Sequence, residues 1–563
     1  MSVSDKYNRE IIMRSNFKAF AIKSAAGAAL AGAILAPFDS ALATVTISGA
    51  ATKNMACVGG VCTPTEKSAV LNATDLQTML ASGNVTVTTA DALASDIVIA
   101  SAVTWVSTNT LTLNAHRFIT VNKPVTITGT GGLTLDVGGG DNALSFGDTG
   151  NIAFWDLASS LSINAKSYTL VNSVAMLASD ITAKPKGYFA LAANYNASVD
   201  GTYQSSPIAT QFNGQFEGLG NTISNLSISD SNVNEQYEGL FSFIGKNGRL
   251  RNIELSNANV SDVAAYFKSV GAIAGENEGS IAGVHVSGTI SAPVATTDSI
   301  TLGAVAGVNG GTIFKSYADA TVSGSESGGR FVGNLVGLNS GIVRNSGAAG
   351  SVSGSNENVV GGLVGWVSFS SVIFNSYSTA AVTGGASVIV GGLAGVSEGW
   401  IQGSYASGPV TGGDASRAGG LVGTVVGTIR DCYAIGSVVG GNSATVGGLF
   451  GQSGMILAQF GPAYADVSNS YATGSVIKGR KGGDVGGFTG VDNDVGTILT
   501  SYWDKSSSGI LKGTGNRGNE PGITGLTTTQ LQSGLPAGFD PSIWGENPGI
   551  NGGLPYLLEL PPT

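Results

Sequence analysis

Along most of this chain apolar residues alternate with Gly, Ser, Thr or Asn over four to six positions, the period of a strand that buries one face. Glycine-containing turns separate the runs, as in 360–365, then 372–377, then 380–382. From about residue 270 a hexapeptide recurs, first as Val270-Gly271-Ala272-Ile273-Ala274-Gly275, then at 302–307, 332–337, 360–365, 390–395, 418–423, 446–451 and 485–490. The first glycines of these eight copies lie 32, 30, 28, 30, 28, 28 and 39 residues apart, so the period is near 29 with one insertion around 455–465. A fixed period of this length signals stacked structural units.

A second column follows each hexapeptide: Ser316-Tyr317, Ser346-Gly347, Ser376-Tyr377, Ser404-Tyr405, Cys432-Tyr433, Ser470-Tyr471 and Ser501-Tyr502, with Cys432 replacing a Ser. Four residues before the aromatic position stand Ile313, Val343, Ile373, Ile401, Ile429, Val467 and Ile498. Five after it stand Val322, Val352, Val382, Val410, Val438 and Val476. Three short strands per turn at this period predict an all-β chain: a parallel β-helix, or β-solenoid, with repeats of about 28–32 residues, each coil covering its neighbour's open edge. The usual hand of parallel crossovers makes it right-handed. Helical repeats would need more Ala, Leu, Glu and Lys on periodic faces. For Tyr377, Tyr405, Tyr433 and Tyr471 two readings are open: outward aromatic contacts, or the favoured one, packing inside with the Ile and Val columns.

Upstream, 110–113, 118–121, 125–128 and 133–136 alternate as strands between Asn, Lys-Pro and Gly turns, and predict irregular coils of the same solenoid. Residues 74–82 read as a short helix, capped by Thr74 and stopped by Gly83, that shields an end from edge pairing. Trp503, Trp544, Pro555 and Tyr556 lie in a Pro-rich, non-repeating stretch that caps the last coil. The expected organisation is an export signal at 1–43, an N-terminal cap region at 44–97, irregular coils at 98–230, repeat coils at 231–505 and a C-terminal cap or tail at 506–563.

The hexapeptide with its Ser-Tyr-Ala follower resembles the GLUG motif of bacterial surface proteins, and Phe216-Glu217-Gly218-Leu219-Gly220-Asn221-Thr222-Ile223 resembles the segment that introduces such arrays. Leu111-Thr112-Leu113-Asn114-Ala115-His116-Arg117, followed by Val125-Thr126-Ile127-Thr128, is similar to the central part of filamentous-haemagglutinin-like exoproteins. The resemblance covers roughly 98–556 and implies an exported β-helical stalk, often associated with adhesion. The chain departs from the large haemagglutinins in being short and in showing no clear two-partner secretion signature after the leader. Residues 506–563 also lack the series of ~10-residue alternating strands of an outer-membrane barrel.

Composition narrows the class. Charged residues are 11% of the chain, against about a quarter in ordinary domains, and 85 glycines without a Gly-X-Y period exclude collagen. The apolar content, 42%, is too high for a disordered tail. Arg14, Lys18 and Lys23 precede the apolar run 25–35, then Pro37 and the triplet Ala41-Leu42-Ala43, the three parts of a secretory signal cleaved near Ala43, with Met13 an alternative start. The net charge of −10 becomes −12 without this leader, since 22 basic and 34 acidic residues remain, which disfavours nucleic acid as a partner. Beyond the leader Gly interrupts every apolar run, leaving no transmembrane segment. Cys57 and Cys62 enclose a Gly-containing loop that a disulfide could close in an oxidising compartment.

No catalytic, cofactor-binding or metal-binding residue is assigned. Solenoid enzymes acting on polysaccharides need clustered carboxylates. Two residues before the aromatic position the column reads Lys315, Asn345, Asn375, Gly403, Asp431, Asn469 and Thr500; two after it, Asp319, Ala349, Thr379, Ser407, Ile435, Thr473 and Asp504. Neither puts acids on neighbouring coils, and Asn345 with Asn375 invites a side-chain ladder instead. His116 and His285 read as strand-face or turn residues. Asp492-Asn493-Asp494 lacks the rest of an EF-hand and reads as a solvated turn, and Gly138-Gly139-Gly140-Asp141-Asn142 reads as a turn without a phosphate-loop ending.

The expected function is therefore a non-enzymatic adhesin or display stalk, secreted or on the bacterial surface, with host or cell-surface glycans or proteins as partners. The alternatives are a carbohydrate-active or carbohydrate-binding β-helix protein and a self-assembling matrix protein.

Overall fold

A computed structural model describes residues 43–562 apart from 90–93, 141–142, 233–234, 263–267, 293–299, 325–329, 458–460 and 519. It is a parallel β-solenoid of about 13 turns with rungs of about 30 residues and a few short helices. Each repeat coil has four walls rather than the three expected strands. In one coil these are Val359–Gly361 (wall a), Val364–Val367 (wall b), Val372–Phe374 (wall c) and Tyr377–Ser378 with Ala381–Gly384 (wall d). The next coil lies in register, with Val360 opposite Val390, Ile373 opposite Ile401, Tyr377 opposite Tyr405 and Val382 opposite Val410.

The hexapeptide is a corner, which is why its glycines recur. Walls a and b press backbone against backbone: a Cβ on Gly361 would overlap the Val364 carbonyl oxygen and crowd the Gly395 nitrogen of the next coil. Only glycine allows that approach. Val360, Leu363, Val364, Val367 and Ile373 point into the lumen and are fully buried, each contributing about 2 kcal/mol of apolar burial. Outside the same corner, Phe331, Leu338, Val359, Trp366, Ile389 and Val396 close the crease between the two walls. At the next corner, where wall b passes to wall c, Asn309 bridges coils, accepting from Asn277 and donating to Asn339, both at 2.7 Å, so these buried amides are partnered along the axis.

The solenoid has two hydrophobic cores. The first draws mainly on strands from Thr44–Ser48 to Ser160–Ile163, with Tyr168, Leu170, Ala190, Ala192 and Leu219 added from beyond them, and the second runs from Val171 to Trp503. Between them Ser160–Ile163 turns through Asn164 and Ala165, both at positive φ, and pairs antiparallel with Lys166–Val171, after which parallel stacking resumes. A helix belongs to each core. Ala73–Ser82 is capped by Asn72, whose Oδ1 accepts from the N–H groups of Thr74 and Asp75, so Thr74 lies inside the helix instead of capping it. Gln77 accepts from the Thr104 N–H at 2.9 Å, covering the edge strand Val103–Trp105. The second helix, Val174–Ala183, was not expected; Ser173 caps it and it buries Val174, Leu177 and Ile181 in the second core. Among the described residues no helix is long and apolar enough to cross a membrane.

Cys57 and Cys62 face one another across the hairpin Met55–Val58 and Val61–Pro64 and are joined by a disulfide. The C-terminal stretch divides its work. Trp503 plugs the lumen, its indole N–H donating to the Ile510 carbonyl. Trp544 and Tyr556 lie elsewhere, in the segment that folds along the flank of wall d.

Candidate binding face

Wall c is built from three-residue strands such as Thr312–Phe314, Ile342–Arg344, Val372–Phe374, Trp400–Gln402 and Thr428–Arg430. The middle residue is the Ile or Val of the core column, so strand alternation turns both flanking side chains outward. Those outward columns are rich in aromatic and cationic groups. Trp400 is 59% exposed, Ile342 41% and Phe374 38%, while Arg344 and Arg430 are exposed beside them. The Arg344 guanidinium lies 4.2 Å from the centre of the Phe314 ring, and the Lys315 ammonium lies 5.3 Å from it. Beside Trp400, a depression of about 390 Å³ is lined by Gln402, Thr428, Arg430, Asp466 and Leu499.

At the other end of the wall a recess of about 500 Å³ holds Arg251, Glu254, His285 and Lys315. His285 begins the strand His285–Ala292, and its Nδ1 is 3.6 Å from Glu254 Oε1, whose other oxygen accepts from Thr222 at 2.9 Å. His116 lies in an exposed bend far along the chain, after Thr110–Ala115.

The corner from wall c to wall d explains two sequence columns. Lys315, Asn345, Asn375, Gly403, Asp431, Asn469 and Thr500 all have φ between 44° and 59°, a left-handed turn that favours Asn, Asp and Gly. Asn345 and Asn375 thus serve the turn; the side-chain hydrogen bonds of this column run from Asn469 to Asp431 and from Thr500 to Asn469. The serines that follow bridge coils, each hydroxyl accepting from the previous coil's backbone N–H, as in Ser316 N–H to Ser346 at 3.2 Å and Ser346 N–H to Ser376 at 3.2 Å. Cys432 sits in this ladder, and burial pushes its thiol pKa up, leaving it protonated.

The tyrosines follow neither expected reading. They point out of wall d, away from the lumen, yet Tyr405, Tyr433 and Tyr471 are completely covered. They stack at 4.9–5.4 Å with Tyr377 at one end, and Leu531, Phe539, Trp544 and Leu557 of the C-terminal segment lie over them. Trp544 donates to Asp431 at 3.3 Å, and Asn551 donates to the Tyr471 hydroxyl at 3.0 Å. Burial pushes the Tyr433 and Tyr471 phenols far above their ordinary value. Asp492 is buried, accepting from Ser453 at 3.1 Å, and Asp494 pairs with Arg517 at 3.1 Å, so this turn ties the last coil to the following segment. Gly138 and Gly139 form a turn; Asp141 and Asn142 lie outside the described residues.

No family model and no curated protein matches the chain. Among solved structures it is similar to a candidate immunoglobulin A1 protease from Bacteroides ovatus, with 18% identity and a TM-score of 0.32 over 70% of this chain and 93% of that one. It is also similar to an IgA1 protease structure, with 17% identity and a TM-score of 0.32, over 53% of this chain and 21% of that much longer one.

Proposed function

We propose that this chain is an exported, non-enzymatic adhesin of the GLUG-motif, filamentous-haemagglutinin-like kind, and that wall c is its contact surface for acidic glycans. The observation carrying this reading is the exposure of Trp400, Phe374, Arg344 and Arg430 on one wall of an otherwise acidic chain. Aromatic faces stack on the apolar faces of sugar rings. Guanidinium groups pair with carboxylates or sulfates in fork geometry. Coils spaced at ~4.8 Å repeat those contacts along the axis.

The test is binding of the full chain to arrayed neutral and acidic glycans, matrix proteins and a single-stranded DNA control, with product analysis of the same polysaccharides. Selective binding to acidic glycans is expected, weakened roughly tenfold or more by Trp400→Ala and by added salt. Equal binding by the Trp400→Ala and Phe374→Ala variants would remove wall c as the contact surface. Released sugar products would instead favour a carbohydrate-active enzyme and turn attention to Glu254 and His285.

A further inference from the structure

Where wall d passes to wall a in the first repeat coils, four ionisable side chains meet in the interior: Asp230, Glu238, Asp262 and Lys268, all with zero exposure. Their register makes them exceptional. Glu238 stands opposite Val270, which is followed by Leu302 and Val332 in the next coils, so a carboxyl occupies a position otherwise filled by core aliphatics. Lys268 stands opposite Ile300 in the same way. Asp230 stands opposite Asp262, whose column continues as Ala292 and Gly324.

Around Asp230 an amine and a carboxyl are held in direct contact. Lys268 Nζ lies 2.7 Å from Asp230 Oδ2, and the Asn232 backbone N–H donates to Asp230 Oδ1 at 2.6 Å. Lys268 Nζ is also 3.4 Å from Asp262 Oδ1. Neither oxygen of the fully buried Glu238 receives a hydrogen bond of ordinary geometry. Burial, reinforced by the neighbouring Asp262 charge, pushes its pKa up to about 9, so it stands as a neutral acid at pH ~7. A structural ion pair needs one carboxylate for one ammonium; here a third acid, Glu238, sits among them, in a place where an aliphatic residue would pack.

We propose that Lys268 and Asp230 join in an intramolecular amide, a self-made cross-link between consecutive coils, with Glu238 as the proton-transfer acid. Burial works against the Lys268 charge, but the hydrogen bond to Asp230 and the charges of Asp262 and Asp230 outweigh it and raise its pKa, so the reactive form is the minor one in which a proton has moved along the 2.7 Å hydrogen bond to Asp230 Oδ2. The Lys268 amine then attacks Asp230 Cγ, and the Asn232 N–H holds the negative charge that develops on Oδ1. Glu238 protonates the departing Oδ2 oxygen and recovers a proton from Nζ. One C–N bond forms, one C–O bond breaks and one water leaves. Glu238 ends as it began, and no oxidant or cofactor takes part. This inference is independent of what wall c binds.

The test is mass spectrometry of the denatured full chain and of its tryptic peptides. Expected are a mass lower by one water beyond the hydrogens lost in the disulfide, and a branched peptide joining Asp230 to Lys268 with no cleavage after Lys268. Linear peptides with free Asp230 and Lys268, or a water loss located elsewhere, would overturn the proposal. Glu238→Gln, folded by circular dichroism, should leave the two residues unlinked; complete cross-linking in that variant would remove Glu238 from the reaction. The unmodified chain decides the cross-link even if the variant fails to fold.

Discussion

A single missing Cβ recurs at the corner between walls a and b in successive repeat coils, and coil stacking there depends on it. At Gly361 any side chain would have to displace both the Val364 carbonyl and the next coil's backbone, neither of which is the free end of a flexible group. Gly361→Val is therefore expected to cost about 3 kcal/mol or more by overpacking, whereas exposed Gly518, with nothing near its absent Cβ, should accept Ala within about 0.5 kcal/mol. Urea unfolding midpoints of the two variants check this contrast. The glycines were legible as a period, but their reason was not: the hexapeptide reads equally well as one strand, and only the close approach of walls a and b shows it to be two. Asn277, Asn309 and Asn339 were visible as letters but unremarked, because a buried amide ladder has meaning only once successive coils are in register.

At the scale of the element, the C-terminal segment and wall d behave as lid and surface. Leu531, Phe539 and Trp544 cover tyrosines that would otherwise form an exposed aromatic strip. The Tyr433 and Tyr471 phenols are raised when folded and ordinary when unfolded. Their stabilising contribution is thus complete below the unfolded pKa of about 10 and is lost as pH rises beyond it, because only the unfolded chain ionises readily there. An alkaline titration should show their tyrosinate absorbance appearing together with loss of β-sheet circular dichroism; ionisation within an intact fold would contradict the covering. The helix Val174–Ala183 was missed although Ser173 precedes it as a cap, since ten residues with a modest apolar stripe do not stand out among strands of similar composition. The Tyr column was recognised, while its covering by residues some 80 to 110 positions away had no local signature.

Across the whole molecule, repeat coils meet mainly their nearest neighbours, so stability is close to a sum over coils and interfaces. Val332 and Val360 occupy equivalent positions, and removing 332–359 should rejoin Phe331 to Val360 in register. The shortened chain is expected to keep its β-sheet circular dichroism and cooperative unfolding; a molten or aggregated product would show that the coils are not interchangeable. The deleted coil is clear of the Tyr405–Trp544 cluster and of the Asp230–Lys268 corner, so neither specialised feature is disturbed.

By itself the sequence determined the parallel solenoid, its period and its inward Ile and Val columns, because a two-residue alternation repeated at near-constant spacing has few other ways to bury its apolar side. What lies on the outside was decided by tertiary structure. Whether an outward Tyr is bare or covered depends on where a non-repeating tail lands, and whether Trp400 and Arg430 share a surface depends on the four-wall path of each coil. The gathering of Asp230, Glu238 and Lys268 likewise arises because stacking superimposes residues roughly a period apart, a distance over which local pattern carries no information about contact.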